Sequence, residues 1–295
     1  MAISSEIFDY FSKLIYDNTG IVYNEKNKFA LSNRLEKISK DLEFDDPGSL
    51  YTAVKGGCPQ ETMDYILEVA TNHETLFFRD RNVFDALKNH VVDPWLADGK
   101  KMIKVLSLAC STGQEPYSVA MIFEDLKGKY PNFNYSILAS DISEPALKVA
   151  EAGVYSQLEV QRGLPVPLLV KYFDQSKDKV SGAPGTWEVK EALRKNISFK
   201  PLNLIEPKDF KGLGVFDLVL CRNVLIYHDQ DNRQKIIQQI LNVLAPKGLL
   251  ILGTAERVHD MDKVLRTQLI EKACFYSARA AEGDNDVAVK NAVGA

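Results

Sequence analysis

From residue 103 onward, short apolar runs alternate with amphipathic stretches, and this alternation restricts the possible folds more than any other feature of the chain. The runs at 103–109, 136–140, 196–201, 215–221 and 249–254 are bounded by polar residues and turn formers. Runs of that length separated by helical patterns predict strands joined by crossover helices, and hence a largely parallel sheet. The 215–221 run is apolar on both faces, as a central parallel strand must be.

Before residue 90 the pattern changes. Phe8, Phe11, Leu14 and Ile15, and later Met63, Ile66, Leu67 and Ala70, recur at helical spacing, with breaks at Asn18-Thr19-Gly20 and Asp46-Pro47-Gly48. An all-helical N-terminal domain is expected over 1–89 and an α/β domain over 90–281. Pro165, Pro167, Gly182, Pro184 and Gly185 interrupt the βα rhythm, so an inserted subdomain is predicted at about 154–195. Its Thr186-Trp187-Glu188-Val189 segment suits a small antiparallel sheet. The small, polar residues 282–295 read as a fraying tail.

With 45% apolar residues, the 295-residue chain can bury a sizeable core. A net charge of -4 argues against nucleic acid as the main partner, since such binding draws on excess Lys and Arg. Cys58, Cys110, Cys221 and Cys274 form no C-x-x-C pair, and the histidines lack spaced acid or cysteine partners, so reduced thiols and no metal site are expected. The N-terminus lacks a basic leader, and no apolar run approaches the roughly 18 residues that span a bilayer. A cytoplasmic protein without membrane insertion is the expectation.

The first predicted strand runs into Leu108-Ala109-Cys110-Ser111-Thr112-Gly113-Gln114-Glu115-Pro116, followed by a helix. Open α/β sheets bind ligands at this position, outside the carboxyl ends of the strands. One glycine is too few for a dinucleotide pyrophosphate, which disfavours NAD. A phosphate-free nucleoside remains compatible, and so does an ordinary strand-to-helix turn. Asp141 ends the second strand, where a carboxylate can accept ribose hydroxyls or cap the helix that follows. Arg79 follows Leu76-Phe77-Phe78 and needs an anion: a ligand carboxylate, or an ion pair with Glu74 or Asp80.

Taken together, Thr75-Leu76-Phe77-Phe78-Arg79-Asp80, Ala109-Cys110-Ser111-Thr112-Gly113-Gln114-Glu115-Pro116-Tyr117-Ser118, Ala139-Ser140-Asp141-Ile142 and Cys221-Arg222-Asn223-Val224-Leu225-Ile226-Tyr227 resemble the signature motifs of the CheR protein-glutamate methyltransferases. The resemblance covers roughly residues 5–280. It implies a Rossmann-like S-adenosylmethionine-dependent domain with a helical N-terminal domain and an inserted antiparallel β-subdomain. It further implies transfer of a methyl group from S-adenosylmethionine to glutamate carboxylates of chemoreceptors, leaving S-adenosylhomocysteine. Carried over residue by residue, it implies cofactor contacts from Thr75, Arg79, Ala109, Glu115, Asp141, Asn203, Leu204, Arg222 and Asn223. His73 stands where the family often has Asn.

Such a transfer needs no general base, because a carboxylate with a pKa of about 4.3 is already ionised at neutral pH. Arg79 and Tyr227 are therefore the expected catalytic residues, placing the acceptor and the cofactor rather than moving a proton. On a predicted amphipathic helix at roughly 24–43, Lys26, Arg34, Lys37 and Lys40 form a basic outer stripe. The resemblance implies that this face meets acidic chemoreceptor helices, with the protein monomeric and recruited to membrane receptor arrays. In some members of the family a Gly-x-Gly element in the insert accompanies capture of a receptor tether. Its absence from 174–190 points to a tether-independent enzyme. Transfer to another protein, a small molecule or RNA, or a non-catalytic cofactor-binding module, are the alternative readings.

Overall fold

The computed structural model describes residues 3–175, 185–256, 258, 261 and 263–279. Helices come first: α1 (Ser5–Thr19), α2 (Lys28–Asp41), α3 (Pro47–Lys55) and α4 (Gln60–Ala70). The Ser4 hydroxyl caps α1 by accepting from the Ile7 N–H, and Gly20 closes it in the left-handed conformation. The apolar faces of these helices meet in their own core of Phe8, Phe11, Ile15, Leu31, Leu35, Ile38, Leu50 and Ile66. The helix expected at 24–43 is shorter, because Asn24 and Asn27 cap each other across a separate 3-10 turn, Glu25–Asn27.

Then α5 (Arg81–Ala86), a π-helical turn (Leu87–Val92) and α6 (Asp93–Ala97) lead into the sheet. β1 (Met102–Leu108), α7 (Gln114–Lys127), β2 (Asn134–Asp141) and α8 (Glu144–Ala152) form the first βαβα unit. The insert contributes β3 (Val154–Ser156), β4 (Phe173–Gln175) and β5 (Thr186–Val189), an antiparallel sheet in the order β3-β5-β4. The expectation for 186–189 is met, whereas β3 and β4, at three residues each, are too short to show a period. β6 (Ile197–Pro201), β7 (Phe216–Cys221), β8 (Leu244–Leu252), β9 (Leu265–Ile270) and β10 (Ala273–Ala278) complete the main sheet. Residues 181–184, which carry most of the Gly-x-Gly argument, and 282–295, the expected tail, lie outside the described residues.

The seven strands run in the order β6-β2-β1-β7-β8-β10-β9. β1 pairs in parallel with both β2 and β7, and β10 runs antiparallel to β8. The order therefore reverses at β1, which opens a crevice at the carboxyl ends of β1, β2 and β7. Side chains alternate between two cores, as a period of two requires. Ile103, Val105, Leu218 and Leu220 face α7 and the insert; Leu106, Leu108, Val219 and Cys221 face Ile236, Ile237 and Ile240 of the Gln230–Val243 helix. Each fully buried aliphatic side chain contributes about 1.5–3 kcal/mol, so the layered core holds the strand ends in register.

Candidate active site

A cavity of about 890 Å³, part of it open to solvent, lies over the reversal point. It is lined by all eleven residues expected to serve the cofactor or the acceptor: His73, Thr75, Arg79, Ala109, Glu115, Asp141, Asn203, Leu204, Arg222, Asn223 and Tyr227. They come from five separate segments. Thr19 and Ile21, beyond the end of α1, close the wall on the helical side.

The β1–α7 turn forms the floor. Ala109, Ser111 and Gly113 all adopt positive φ, at 53°, 52° and 94°. Gly113 has no substitute, since a Cβ there would sit 2.7 Å from the Ala150 Cβ. Three neighbours hold the turn. The Ser111 N–H donates to Asp141 Oδ2 at 2.7 Å, the Ser111 hydroxyl to the His73 carbonyl at 2.8 Å, and the Tyr155 hydroxyl to the Thr112 carbonyl at 2.7 Å. Positive φ recurs at Phe78, Asp80 and Asn223, on segments bordering the same cavity. Strained backbone of this kind persists where the surroundings over-determine it, typically at functional sites.

Asp141 is buried, and its second oxygen accepts from the Ser143 N–H at 3.0 Å. Ser143, not Asp141, is the cap of α8. Each Asp141 oxygen keeps acceptor capacity for a ligand hydroxyl. Burial pushes this carboxyl above the ordinary aspartate range, against the pull of the Ser143 and Ser111 N–H groups. Asn203 and Leu204 follow β6. The Asn203 amide donates to the Asn18 carbonyl at 2.7 Å, so this wall is fastened to the end of α1.

Arg222 is an interior cation, its side chain 1% exposed. It reaches Asp80 at 2.8 Å, Glu115 at 3.0 Å and the Arg79 carbonyl at 2.7 Å, and its guanidinium stacks 5.3 Å from the Phe84 ring centroid. Its Nε–H has no hydrogen-bond partner among the described residues. The other oxygen of Glu115 accepts from the Ser107 hydroxyl at 2.8 Å, so this carboxylate bridges β1 to the strand-β7 tip. Neither expected ion pair of Arg79 forms. Asp80 is taken by Arg222, and Glu74 pairs with Arg162 at 3.2 Å. Arg79 donates to the Glu74 carbonyl at 3.0 Å and has no carboxylate partner among the described residues.

Sequence reasoning missed three contributors. Asn72 donates to the Tyr227 hydroxyl at 2.6 Å, which places an asparagine beside the position occupied by His73. Glu256 is buried; its Oε2 accepts from the N–H groups of Asn223 and Gly253, each at 2.7 Å, and so pins Asn223 in its left-handed turn. Tyr155 belongs to the insert, and nothing in the sequence ties it to a turn some forty residues earlier. Asn72 alone could have been noticed, by its place next to His73, where the family often has Asn.

The His73 ring is held within its own segment, with Nε2 at 2.7 Å from the Thr71 hydroxyl and 3.2 Å from Glu68 Oε1. Burial lowers its pKa, but Glu68 outweighs this and the ring titrates above the ordinary histidine value, while Glu68 is shifted down. A raised folded-state pKa stabilises the fold fully below about pH 6.5. That contribution fades as pH climbs through the raised value. Urea unfolding of the native chain and of His73→Gln should therefore show a stability gap that narrows from pH 6.5 upward; a pH-independent gap would exclude the charged pair. His228 is also buried, hydrogen-bonds the Gly20 carbonyl at 3.0 Å, and has its pKa depressed by burial. Cys110 and Cys221 are free and buried, which pushes both thiols well up and makes them poor nucleophiles.

Of the basic stripe, Lys26, Lys37 and Lys40 are exposed. Lys37 pairs with Asp41 at 2.5 Å. Arg34 departs from the expected stripe: it turns inward and donates to the Tyr23 hydroxyl and the Ala70 carbonyl, tying α2 to the end of α4. Among the described residues, no helix is long and apolar enough to cross a membrane.

The family model described as "CheR methyltransferase, SAM binding domain" matches residues 73–274. The chain is 33% identical over 268 residues to "Chemotaxis protein methyltransferase 1" of Pseudomonas aeruginosa, covering 88% of this chain and 93% of the relative. It is 31% identical over 276 residues to "Chemotaxis protein methyltransferase Cher2" of Pseudomonas putida, covering 92% and 98%. To "Chemotaxis protein methyltransferase" of Vibrio parahaemolyticus it is 32% identical over 258 residues, covering 87% and 90%.

Proposed function

The chain belongs to the CheR methyltransferase family, a SAM-dependent family of chemotaxis, and from that premise we propose that it esterifies glutamate side chains of chemoreceptor cytoplasmic helices. The observation that carries the acceptor's identity is Arg79, a half-buried guanidinium on the cavity wall without a carboxylate of its own. Such a group recognises an incoming carboxylate in a planar, two-pronged manner.

The donor set suits a nucleoside carrying an amino-acid tail. Asp141 would take the ribose hydroxyls, Ile142, Leu202 and Leu204 offer an apolar wall for the base beside the Asn203 amide, and the Arg222 Nε–H would donate to the carboxylate of the tail. When bound, S-adenosylmethionine supplies an electrophilic sulfonium methyl group. Arg79 and Tyr227 would hold the acceptor carboxylate in line with it and strip its water, so that entropy and desolvation, rather than proton transfer, lower the barrier. The hydrogen bond from Asn72 orients the Tyr227 hydroxyl, leaving its proton free to be donated to an anion. The test is incubation with methyl-labelled cofactor and receptors of the source organism. Label should appear on the receptor and leave as methanol in alkali; alkali-stable label, or none, would reject glutamate as the acceptor.

The receptor is expected to meet the exposed lysines of the 3-10 turn and α2. Lys26→Glu combined with Lys40→Glu should lower kcat/KM for receptor roughly tenfold at low salt, with the deficit shrinking as salt rises, because exposed charges act within a Debye length. S-adenosylhomocysteine affinity should not move. A deficit independent of salt would remove this face from the docking surface.

A further inference from the structure

The insert reaches both halves of the cavity through two contacts, one at Tyr155 and one at Gly163. Tyr155, on β3, is fully buried. Its hydroxyl donates to the Thr112 carbonyl in the β1–α7 turn, and its ring meets Phe77 edge-on, 5.1 Å between centroids. Phe77 is itself fully buried and packs 5.6 Å from Phe173 of β4. Two residues beyond the Gln157–Gln161 helix, Gly163 has φ of 93°, and a Cβ there would fall 2.1 Å from the Phe77 carbonyl oxygen and 3.0 Å from Leu76 Cδ1. Because the obstructing atom is backbone, it can yield only by moving the segment that carries Thr75 and Arg79.

We propose that the insert is a clamp on the reaction centre, in which Tyr155 positions the cofactor turn and Gly163 positions the Arg79 segment. The clamp rests on reading the cavity as the methyl-transfer site. Two contacts on two segments let one small sheet set the gap between donor and acceptor, and an error of about 1 Å in that gap can cost 10²-fold in rate. Tyr155 suits the role because its buried hydroxyl stays neutral and can only satisfy its donor at Thr112.

The two contacts predict separable defects in the full-length protein. Tyr155→Phe keeps the ring and removes the hydroxyl. Calorimetric titration with S-adenosylhomocysteine should then show affinity about three- to tenfold weaker, the equivalent of one neutral hydrogen bond. Gly163→Ala should lower kcat for receptor methylation by about 10²-fold with S-adenosylhomocysteine affinity at the native value. The clamp is overturned if Tyr155→Phe binds S-adenosylhomocysteine as the native chain does, or if Gly163→Ala loses affinity and kcat together, as a general loss of folded protein would produce. Should Gly163→Ala fail to fold in a thermal scan, the near-isosteric Tyr155→Phe decides. A native chain that binds no S-adenosylhomocysteine would refute the site itself, not the clamp.

Discussion

Arg79→Ala is expected to lower receptor methylation by roughly 10²–10³-fold at saturating cofactor, the size of loss seen when one electrostatic contact to a reacting group is removed. The fold should barely register the change. The Arg79 side chain makes a single hydrogen bond among the described residues, to the Glu74 carbonyl, and the anions that could have given it a structural role are engaged by Arg222 and Arg162. Its removal should cost about 1 kcal/mol or less in urea unfolding. Arg79→Lys should recover little, because an ammonium lacks the planar fork that matches a carboxylate. Turnover within about threefold of native for Arg79→Ala, a barrier change below 1 kcal/mol, would end the assignment.

The opposite balance is expected at Arg222, although it lies on the same cavity wall. Arg222→Met replaces an interior cation with a chain of similar length and leaves the half-buried Asp80 and Glu115 without their counter-ion. Removing one partner from a buried charge network costs about 3–5 kcal/mol, chiefly because the remaining charge has no compensation. Adding Glu115→Gln to Arg222→Met should recover part of that loss, a non-additivity that a double-mutant cycle measures directly. A single-variant loss below about 1 kcal/mol would mean that solvent reaches the network and screens it. From the sequence, both arginines are expected ligand contacts. Burial separates them: one is held by its own protein and the other is left for a partner.

Much of the fold was legible because its signals are local. Leu106 and Leu108 alternate with Val105 on β1, and the Gln230–Val243 helix repeats Ile236, Ile237 and Ile240, so period alone assigns strand or helix and names the buried faces. The exceptions are instructive. β9 carries exposed residues through most of its length, as an edge strand does, and so lacks the continuous apolar run of a central strand. α2 begins later than its apolar pattern suggests because mutual capping by Asn24 and Asn27 ends one turn before the next begins. Arg34 shares the helical arc of the basic stripe, yet the Ala70 carbonyl at the end of α4 draws it inward.

The sequence by itself determined the largely parallel sheet, the position of the crevice turn after β1 and eleven of the residues that line the cavity, since each depends on spacing along one element or on a motif read in order. Only the tertiary structure decided which of those residues are free to act. Arg79 lacks an anion because Arg222, far along the chain, takes Asp80; Asn223 holds its turn because Glu256 accepts its N–H; and the β1–α7 turn is fastened by Tyr155 from the insert. Spacing cannot register competition among charges and donors from distant segments, because the winner is set by burial and distance, which exist only once the chain has folded.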